Sequence, residues 1–377
     1  MSVKLPDPKT VAQQQAEQIR SAGYDVIERS VERVCWDAPW LERESLLQGL
    51  EAFHRERMAK IPSPTKYPES KVWVDQVLAV DGELQRLLTL SVRQMALLRS
   101  LGDFLTFRGF GAAGQHRHEK CRVVYCPETD HGQMHIKNVD DPAPPHWRAD
   151  RTKPARLYCD DDLVWDGVGS GLHLDDEPED IFPLPVPQMY RHYANDVPAA
   201  VEFLTRYSPF HGGGNFVLHD RQKRSVGIEK CSHNFIEVFP PDPVSGFTHV
   251  SGMVCRDPNS PQGKYQKTRR DRYRKMFGLP DDGTDQTFWN ACDRAERLLD
   301  DGIRAMGRVP KRDAIFQLYT TPWPRGLCKT GAKLHPQQSV GEYTLVTHAA
   351  LLDERIYYRW MRDERLEYPA TPEIYQY

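Results

Sequence analysis

The residues with the clearest chemical potential lie in a short segment that begins at Cys121. A cysteine opens the β-branched run Cys121–Cys126, a turn ends at Gly132, and a second run, Gln133–Asn138, is followed by Asp140. This pattern predicts a β-hairpin with a thiol at one strand start and a carboxylate near the end of the other strand. A thiol with an amine or imidazole base and an orienting carboxylate is the minimum set for cysteine acyl transfer.

Each of these residues also has a purely structural interpretation. A cysteine thiol most often serves as a small buried hydrophobic group, and this applies to Cys121 as well. Cys126 lies five residues further on, so in a strand it points to the opposite face, and we interpret it as core. Asp140 precedes Pro142, and Asn-x-Asp-Asp before proline is common chemistry for the start of a loop.

The elements that must position this hairpin change character at about residue 108. The chain before it has apolar residues at helical spacing in Val11–Val34, Leu41–Ala59 and Val72–Leu105. Strand-like runs dominate after it, interrupted by helices at about 186–207, 263–278 and 285–306. Runs of strands and runs of helices favour an α+β fold over a parallel βαβ protein. The predicted strands are Cys121–Cys126, Gln133–Asn138, Leu163–Leu174, Asn215–Asp220, Ser225–Glu229, Asn234–Phe239, Phe247–Cys255, Tyr343–Leu352 and Arg355–Trp360.

Composition and charge exclude several classes of function. Charged residues make up 27% of the 377, hydrophobic residues 39%, and the formal charge is −3, an ordinary globular balance. The one basic stretch, Lys267–Lys275, is typical of a solvated helix face, so we predict no nucleic-acid partner. No apolar run is long enough to cross a membrane, and the N-terminus has no secretory signal. Eight scattered cysteines without a CxxC pair indicate reduced thiols in a cytoplasmic protein.

The sequence points to no cofactor and no metal. His116 and His118 lie close to Cys121, but their spacing matches no common zinc pattern and a fourth ligand is not evident. The glycines at 212–214 lack the Lys-Ser/Thr that completes a phosphate-binding loop.

Taken in order, the motifs from Cys121 onward resemble those of the acyl-coenzyme A:6-aminopenicillanate acyltransferase family. That family belongs to the cysteine N-terminal-nucleophile (Ntn) hydrolases and is related to the choloylglycine and bile-salt hydrolases. The resemblance covers roughly residues 105–377, including an arginine-bearing helix at Arg269 and Arg272. The matching segments are Cys121–Cys126 with Gly132 and Asn138–Asp140, then Gly169–His173, Gly213–Asp220, Ser225–Glu229, Thr248–Gly252 and Gln338–Gly341.

The resemblance implies a four-layer αββα sandwich with an N-terminal helical region. Residues 1–120 would be a helical pro-region or small subunit, and residues 121–377 the catalytic region. The precursor would cut its own Lys120–Cys121 bond and form a heterodimer. The Cys121 α-amine, with an ordinary pKa of about 7.7–8.0, would then take the thiol proton, and Cys121 would form an acyl-enzyme with a small amide, peptide or thioester. By family habit the setting is specialised metabolism.

The resemblance also suggests roles for individual residues around the nucleophile. Asp140 would orient the amine, with Asn138 or Lys137 beside it. Ser251 and the Gly252 amide would supply oxyanion donors, although Ser251 stands where the family usually has Asn. Ser339 before the C-terminal hairpin and Arg108 as a lining residue of the acyl pocket complete the roles that the resemblance implies. Apart from the resemblance, His249 could be a base or a metal ligand, although such a histidine is more often a satisfied strand residue.

Two further hypotheses remain open. The family usually has Gly before the nucleophile, whereas this chain has Lys120; this favours an uncut enzyme in which His118 or His249 acts as the base. Ser251 favours a third hypothesis, a catalytically degenerate protein that binds a metabolite or partner.

Overall fold

The protein divides into two compact units of different architecture. One unit contains Met1–Arg117, Asp175–Gly212 and Ser232–Ile236; the other contains His118–Leu174, Gly213–Cys231 and Glu237–Tyr377. The computed structural model describes residues 4–23, 31, 42–59, 70–107, 121–142, 163–169, 193–207, 214–232, 235–251, 256–260, 263–264, 267, 288–332, 342–363 and 365–376.

The first unit is helical. Its helix Pro8–Ala22 packs on Ser70–Leu88, Arg43–Ala59 packs on Val92–Phe107, and Ser70–Leu88 also packs on Val197–Tyr207. Apolar side chains fill these contacts, and the buried Arg99 guanidinium pairs with Asp81 at 2.5 Å. The helices are α1 Pro8–Ala22, α2 Arg43–Ala59, α3 Ser70–Leu88, α4 Val92–Phe107 and α5 Val197–Tyr207.

The predicted single helix Val72–Leu105 is wrong in one respect, because it is broken between α3 and α4. Thr89 has a φ of 52°, which a continuing right-handed helix cannot contain. Ser91 and Gln94 then form a capping box: the Gln94 N–H donates to Ser91 Oγ, and the Ser91 N–H donates to Gln94 Oε1. This pairing satisfies N–H groups at the start of α4, and its Ser-x-x-Gln pattern is visible in the sequence.

The second unit contains most of two antiparallel sheets. The larger sheet consists of β1 Arg122–Thr129, β2 Gly132–Pro142, β7 Thr248–Ser251, β8 Thr330–Ala332, β9 Glu342–Leu351, β10 Ile356–Met361 and β11 Glu373–Gln376. The smaller consists of β3 Leu163–Gly169, β4 Gly214–Asp220, β5 Ser225–Ser232 and β6 Phe235–Phe239. The larger sheet has the order β11-β10-β9-β2-β1-β7, with β8 pairing to β9, and the smaller has the order β3-β4-β5-β6.

The larger sheet has two differently covered faces. Its inner face contacts the smaller sheet: Val123 and Tyr125 of β1 pack with Val217 of β4. Its outer face is covered by helices α6, Phe288–Met306, and α7, Arg312–Thr320. Their buried side chains contact Val124 and Cys126 of β1. Burying each such aliphatic side chain stabilises the fold by roughly 1.5–3 kcal/mol, so apolar contact holds the three layers together.

These observations confirm the predicted α+β sandwich with a helical N-terminal region. The strands at 121–126, 133–138, 215–220, 225–229, 343–352 and 355–360 are confirmed to within a few residues. The predicted helix at 186–207 begins only at Val197, where Asp196 Oδ1 accepts from the Ala199 N–H and caps it. Helix α7 and strands β8 and β11 were not predicted, and the predicted helix at 263–278 lies almost wholly outside the described residues.

Within the described ranges, we find no helix with the length and hydropathy needed for a bilayer crossing.

Candidate active site

Cys121 lies immediately before β1, and the first residue of that strand is paired on both sides. Arg122 lies opposite Asn138 of β2 and opposite Ser251 of β7. The Cys121 side chain is 6% exposed and belongs to the inner-face cluster with Val123, Tyr125, Val217 and Val250. The thiol therefore lies between the two sheets, at the N-terminal end of β1.

Lys137 shares the inner face with Cys121. It lies opposite Val123, two residues beyond Cys121 on β1, and diagonal neighbours in a sheet are about 7–8 Å apart, within reach of a long side chain. Lys137 Nζ lies 2.7 Å from Asp166 Oδ1 of β3, and its side chain is 15% exposed. The structure thus brings a partly buried cation to the face that carries the thiol.

Three further polar residues continue this inner-face row away from Cys121. His135 Nε2 lies 2.9 Å from Asp166 Oδ2, and His135 Nδ1 lies 3.0 Å from His219 Nε2. The His219 ring stacks on Tyr125 with centroids 4.0 Å apart. Burial raises the pKa of Asp166, but Lys137 and His135 outweigh it and hold that pKa well below its usual range. Burial lowers the pKa of His219, as does the charge of His135.

Asp140 lies beside the start of β1, in a group of its own. Its Oδ1 accepts a hydrogen bond from Thr344 Oγ1 at 2.6 Å, and its Oδ2 lies 3.1 Å from Lys329 Nζ. Arg122, the residue after Cys121, approaches the same carboxylate at 3.6 Å. A bulge between Val139 and Asp140 shifts the register against β9 here. Asp140 is therefore a buried anion at the nucleophile end of the hairpin.

Asn138 points to the outer face and is engaged in structural hydrogen bonds. Its Nδ2 donates to the Tyr319 and Leu327 carbonyls, each at 3.3 Å, and its Oδ1 accepts from Thr347 Oγ1 at 2.7 Å. Strand alternation explains this, because Asn138 follows Lys137 and must face the other way. Asn138 thus ties the end of α7 to β2.

His249 also points away from the thiol. Its Nε2 lies 2.7 Å from Asp300 Oδ1 of α6, and Arg256 Nη2 approaches the same ring. Its strand neighbour Val250 is the residue that packs with Cys121 on the inner face. Successive strand residues face opposite ways, so this placement speaks against His249 as the base for Cys121.

The remaining candidates are only partly described. The Ser251 backbone pairs with Arg122 at the end of β7, but its side chain is outside the described set. Arg108, Ser339, Gly252, Lys120, His116 and His118 lie outside the described residues. In the described part of the chain, no group of three or more His, Cys, Asp or Glu side chains is placed to hold a metal ion.

Sequence reasoning missed Asp166, His135 and His219. In β2, polar Gln133, His135 and Lys137 alternate with apolar Met134 and Ile136, a pattern that usually indicates one solvated face. Here the second sheet buries the polar face. A histidine and a lysine on that alternate face were the available signal, but their partner Asp166 comes from a distant strand.

Among known proteins, no family model matches the chain, and no curated protein matches it. Among solved structures, the chain is similar to a mutant conjugated bile acid hydrolase from Clostridium perfringens, at 13% identity and a TM-score of 0.39, over 68% of this chain and 97% of that chain. It is similar to penicillin V acylase from Agrobacterium tumefaciens, at 13% identity and a TM-score of 0.32, over 67% and 84% of the two chains. Another variant of the Clostridium hydrolase gives 13% identity and a TM-score of 0.34, over 69% and 89%.

Proposed function

We propose that the protein is a cysteine-dependent amidohydrolase or acyltransferase in which Cys121 forms the acyl-enzyme. The observation that carries this proposal is the placement of Cys121 before β1, on the inner face that also holds Lys137. A cation near a thiol favours the thiolate, which is the nucleophilic form. The order of the sequence motifs supports the same assignment.

The proposed reaction begins when the Cys121 thiol attacks the Lys120 carbonyl, and the peptide bond rearranges to a thioester. Water hydrolyses this thioester, which leaves a carboxylate on Lys120, a free α-amine and thiol on Cys121, and two chains, 1–120 and 121–377. The amine accepts the thiol proton, and Sγ bonds to the carbonyl carbon of a small amide, peptide or thioester. The amine or thiol leaving group departs with a proton. Water or an acceptor amine then attacks the thioester and restores the Cys121 thiol.

Neighbouring residues have supporting roles in this proposal. Asp140, at the nucleophile end of the hairpin, orients the new α-amine. Ser251 and the Gly252 amide stabilise the oxyanion, and Ser339 and Arg108 complete the pocket, as the family resemblance implies. Asn138 and His249 are not included, because both side chains face the helices. A cytoplasmic location and a role in specialised metabolism remain predictions.

Two measurements on the purified protein test the proposal. Intact mass should show two fragments divided at Lys120–Cys121. Limited alkylation with iodoacetamide, read by peptide mass spectrometry, should modify Cys121 ahead of Cys126, whose thiol pKa is raised by complete burial. A panel of N-acyl amides and acyl thioesters, including penicillin V and a conjugated bile acid, should give release of the acyl group.

A full-length species that remains intact while turning over substrate would overturn the cleavage step alone. In such an uncut enzyme the thiol proton would pass to a side-chain base such as His118, and the Lys137 ammonium on the inner face would favour the thiolate. Equal alkylation of Cys121 and Cys126, without turnover of any substrate, would overturn the enzymatic proposal as a whole.

A second candidate, a non-catalytic protein that binds a metabolite, is favoured by the burial of Cys121. The thiol is only 6% exposed and packs with Val123, Val217 and Val250. In that case Cys121 would react no faster than Cys126, and substituting it would leave ligand binding unchanged.

A further inference from the structure

A carboxylate from the smaller sheet holds the lysine that lies beside Cys121. Asp166 of β3 is buried, and its two oxygens have different partners on β2: Lys137 Nζ at 2.7 Å and His135 Nε2 at 2.9 Å. Lys137 and His135 both belong to the larger sheet. Asp166 therefore crosses the gap between the sheets and fixes the end of the lysine side chain.

The register of the smaller sheet places Asp166 next to the cluster that contains Cys121. Asp166 lies opposite Val217 of β4 in the smaller sheet, and Val217 packs in one cluster with Cys121. Partners directly opposite in an antiparallel pair have side chains on the same face. Asp166 and Val217 thus face the larger sheet together, and the Lys137–Asp166 pair adjoins the cluster that contains Cys121.

A lysine needs such support to act on a neighbouring thiol. Its four-carbon side chain has many rotamers, and burial disfavours its charged form. A carboxylate at 2.7 Å opposes both effects, because it selects one position for the ammonium and stabilises its charge. Asp166 is itself held, since His135 donates to its second oxygen and His135 is in turn bonded to His219.

We infer that Asp166 is a positioning residue, which fixes the charged Lys137 ammonium beside Cys121 and so favours the Cys121 thiolate. This inference rests on the proposed function. It adds a residue from the smaller sheet to the proposed site around Cys121. It also explains the buried ion pair, because such pairs usually stabilise a fold little more than apolar residues of the same volume.

The test is a double-mutant cycle on the protein as purified, with Asp166→Asn, Lys137→Met and the double variant. The readout is the pH dependence of Cys121 alkylation by iodoacetamide between pH 5 and 10. An opposite charge within a few ångströms lowers a pKa by about 1–3 units. Each single variant should therefore slow alkylation at pH 7 by about tenfold and raise the apparent thiol pKa by about one unit.

The double variant distinguishes positioning from general disturbance. If Asp166 acts through Lys137, Asp166→Asn should have no further effect once Lys137 is methionine. The control is Asp220→Asn, which alters a buried carboxylate of β4 that bonds to Arg224 and should leave the thiol pKa unchanged. Should Asp166→Asn fail to fold, Asp166→Glu takes its place in the cycle; it keeps the charge, shifts it by one methylene, and should slow alkylation about threefold.

The outcomes separate this inference from the proposed function. A thiol pKa that rises with Lys137→Met but not with Asp166→Asn overturns the positioning role and leaves Cys121 as the nucleophile. Additive effects of the two substitutions also overturn it. An alkylation profile that neither substitution changes, in a protein without turnover, overturns both.

The other inner-face groups that titrate around Lys137 must be followed in the same pH range. Burial lowers the pKa of His348, the partner of Lys137 on β9, to about 3, and burial raises that of Tyr125. The described members of this set are Tyr125 on β1, His135 on β2, Asp166 on β3, His219 on β4, His348 on β9 and Tyr357 on β10.

Discussion

The two faces of the hairpin formed by β1 and β2 belong to the same strands, but the thiol on each face has a different environment. Cys121 and Cys126 are five residues apart, and both are buried thiols. Cys121 lies on the inner face, which it shares with Lys137. Cys126 lies on the outer face among Met134 and Ile136, and burial raises its pKa. The comparison teaches that strand parity, rather than residue type, separates a candidate nucleophile from a core thiol.

Polar residues on the two faces differ in the same way. Lys137 on the inner face pairs with a carboxylate from another sheet, so its environment is ionic. Asn138 on the outer face bonds to backbone carbonyls and a hydroxyl, so its environment is that of a structural bridge. Inner-face substitutions should therefore change reactivity, and outer-face substitutions should change stability.

The largest expected difference between the faces is in activity. Cys121→Ala removes the nucleophile and should lower kcat by about 10⁴-fold or more. Cys126→Ala should retain kcat. It should lower the free energy of unfolding by about 1 kcal/mol, the cost of a small cavity. Steady-state kinetics and urea denaturation of both variants measure this. Equal activity of the two variants would remove Cys121 from the mechanism.

Asn138→Ala should show the largest stability effect on the outer face. It leaves the Tyr319 and Leu327 carbonyls and the Thr347 hydroxyl without their partner, at a cost of about 3 kcal/mol in the free energy of unfolding. Urea denaturation measures this, with the exposed Glu128→Ala of the same hairpin as control. A fall in the rate of Cys121 alkylation at unchanged stability would instead make Asn138 part of the site.

Gly132 tests how far the hairpin turn tolerates change. Its φ is +80°, and an added Cβ would collide with the Asp353 carboxylate. Gly132→Ala should lower the free energy of unfolding by about 2 kcal/mol. The matched control is Gly246→Ala, where φ is +77° but the nearest atom is 4.0 Å away. It should cost about 1 kcal/mol, and equal costs would contradict the predicted collision.

The smallest effect concerns the pH dependence of stability. Burial, and then the charge of Lys137, lower the pKa of His348 to about 3 in the folded protein. An unfolded histidine titrates near 6.5, so His348 contributes stability above about pH 6.5 that is lost as pH falls towards 3. The expected slope is about 1.4 kcal/mol per pH unit.

Urea denaturation at pH 7, 6 and 5 measures that slope. His348→Gln should flatten it by the same amount, whereas His131→Gln, at the partly exposed hairpin turn, should not. An unchanged slope in His348→Gln would show that His348 is not held neutral.

The fold was largely predictable, because its signals are local. Alternating β-branched residues define β1 and β9, and amphipathic spacing defines α1 and α6. The break at Thr89 was missed although the capping box Ser91–Gln94 is a sequence pattern, since the apolar spacing continues across it. The edge strand β11 was missed because a short, mostly exposed strand has little hydrophobic pattern.

The site was predictable only in part. Cys121, Lys137 and Asp140 are adjacent in one hairpin, and residue type with spacing was enough to select them. His249 was selected by its type and its place in the Thr248–Gly252 motif, but in the register of β7 its side chain faces α6. Asp166 was not selected, because a carboxylate in a predicted strand has no distinguishing local signal.

The sequence by itself determined a thiol at the head of a hairpin within an α+β protein, since strand runs, turns and alternation are properties of neighbouring residues. Only the tertiary structure decided which side chains share a face and which strand lies opposite. Those depend on sheet register and on contacts between residues far apart in the chain, such as Asp166 with Lys137.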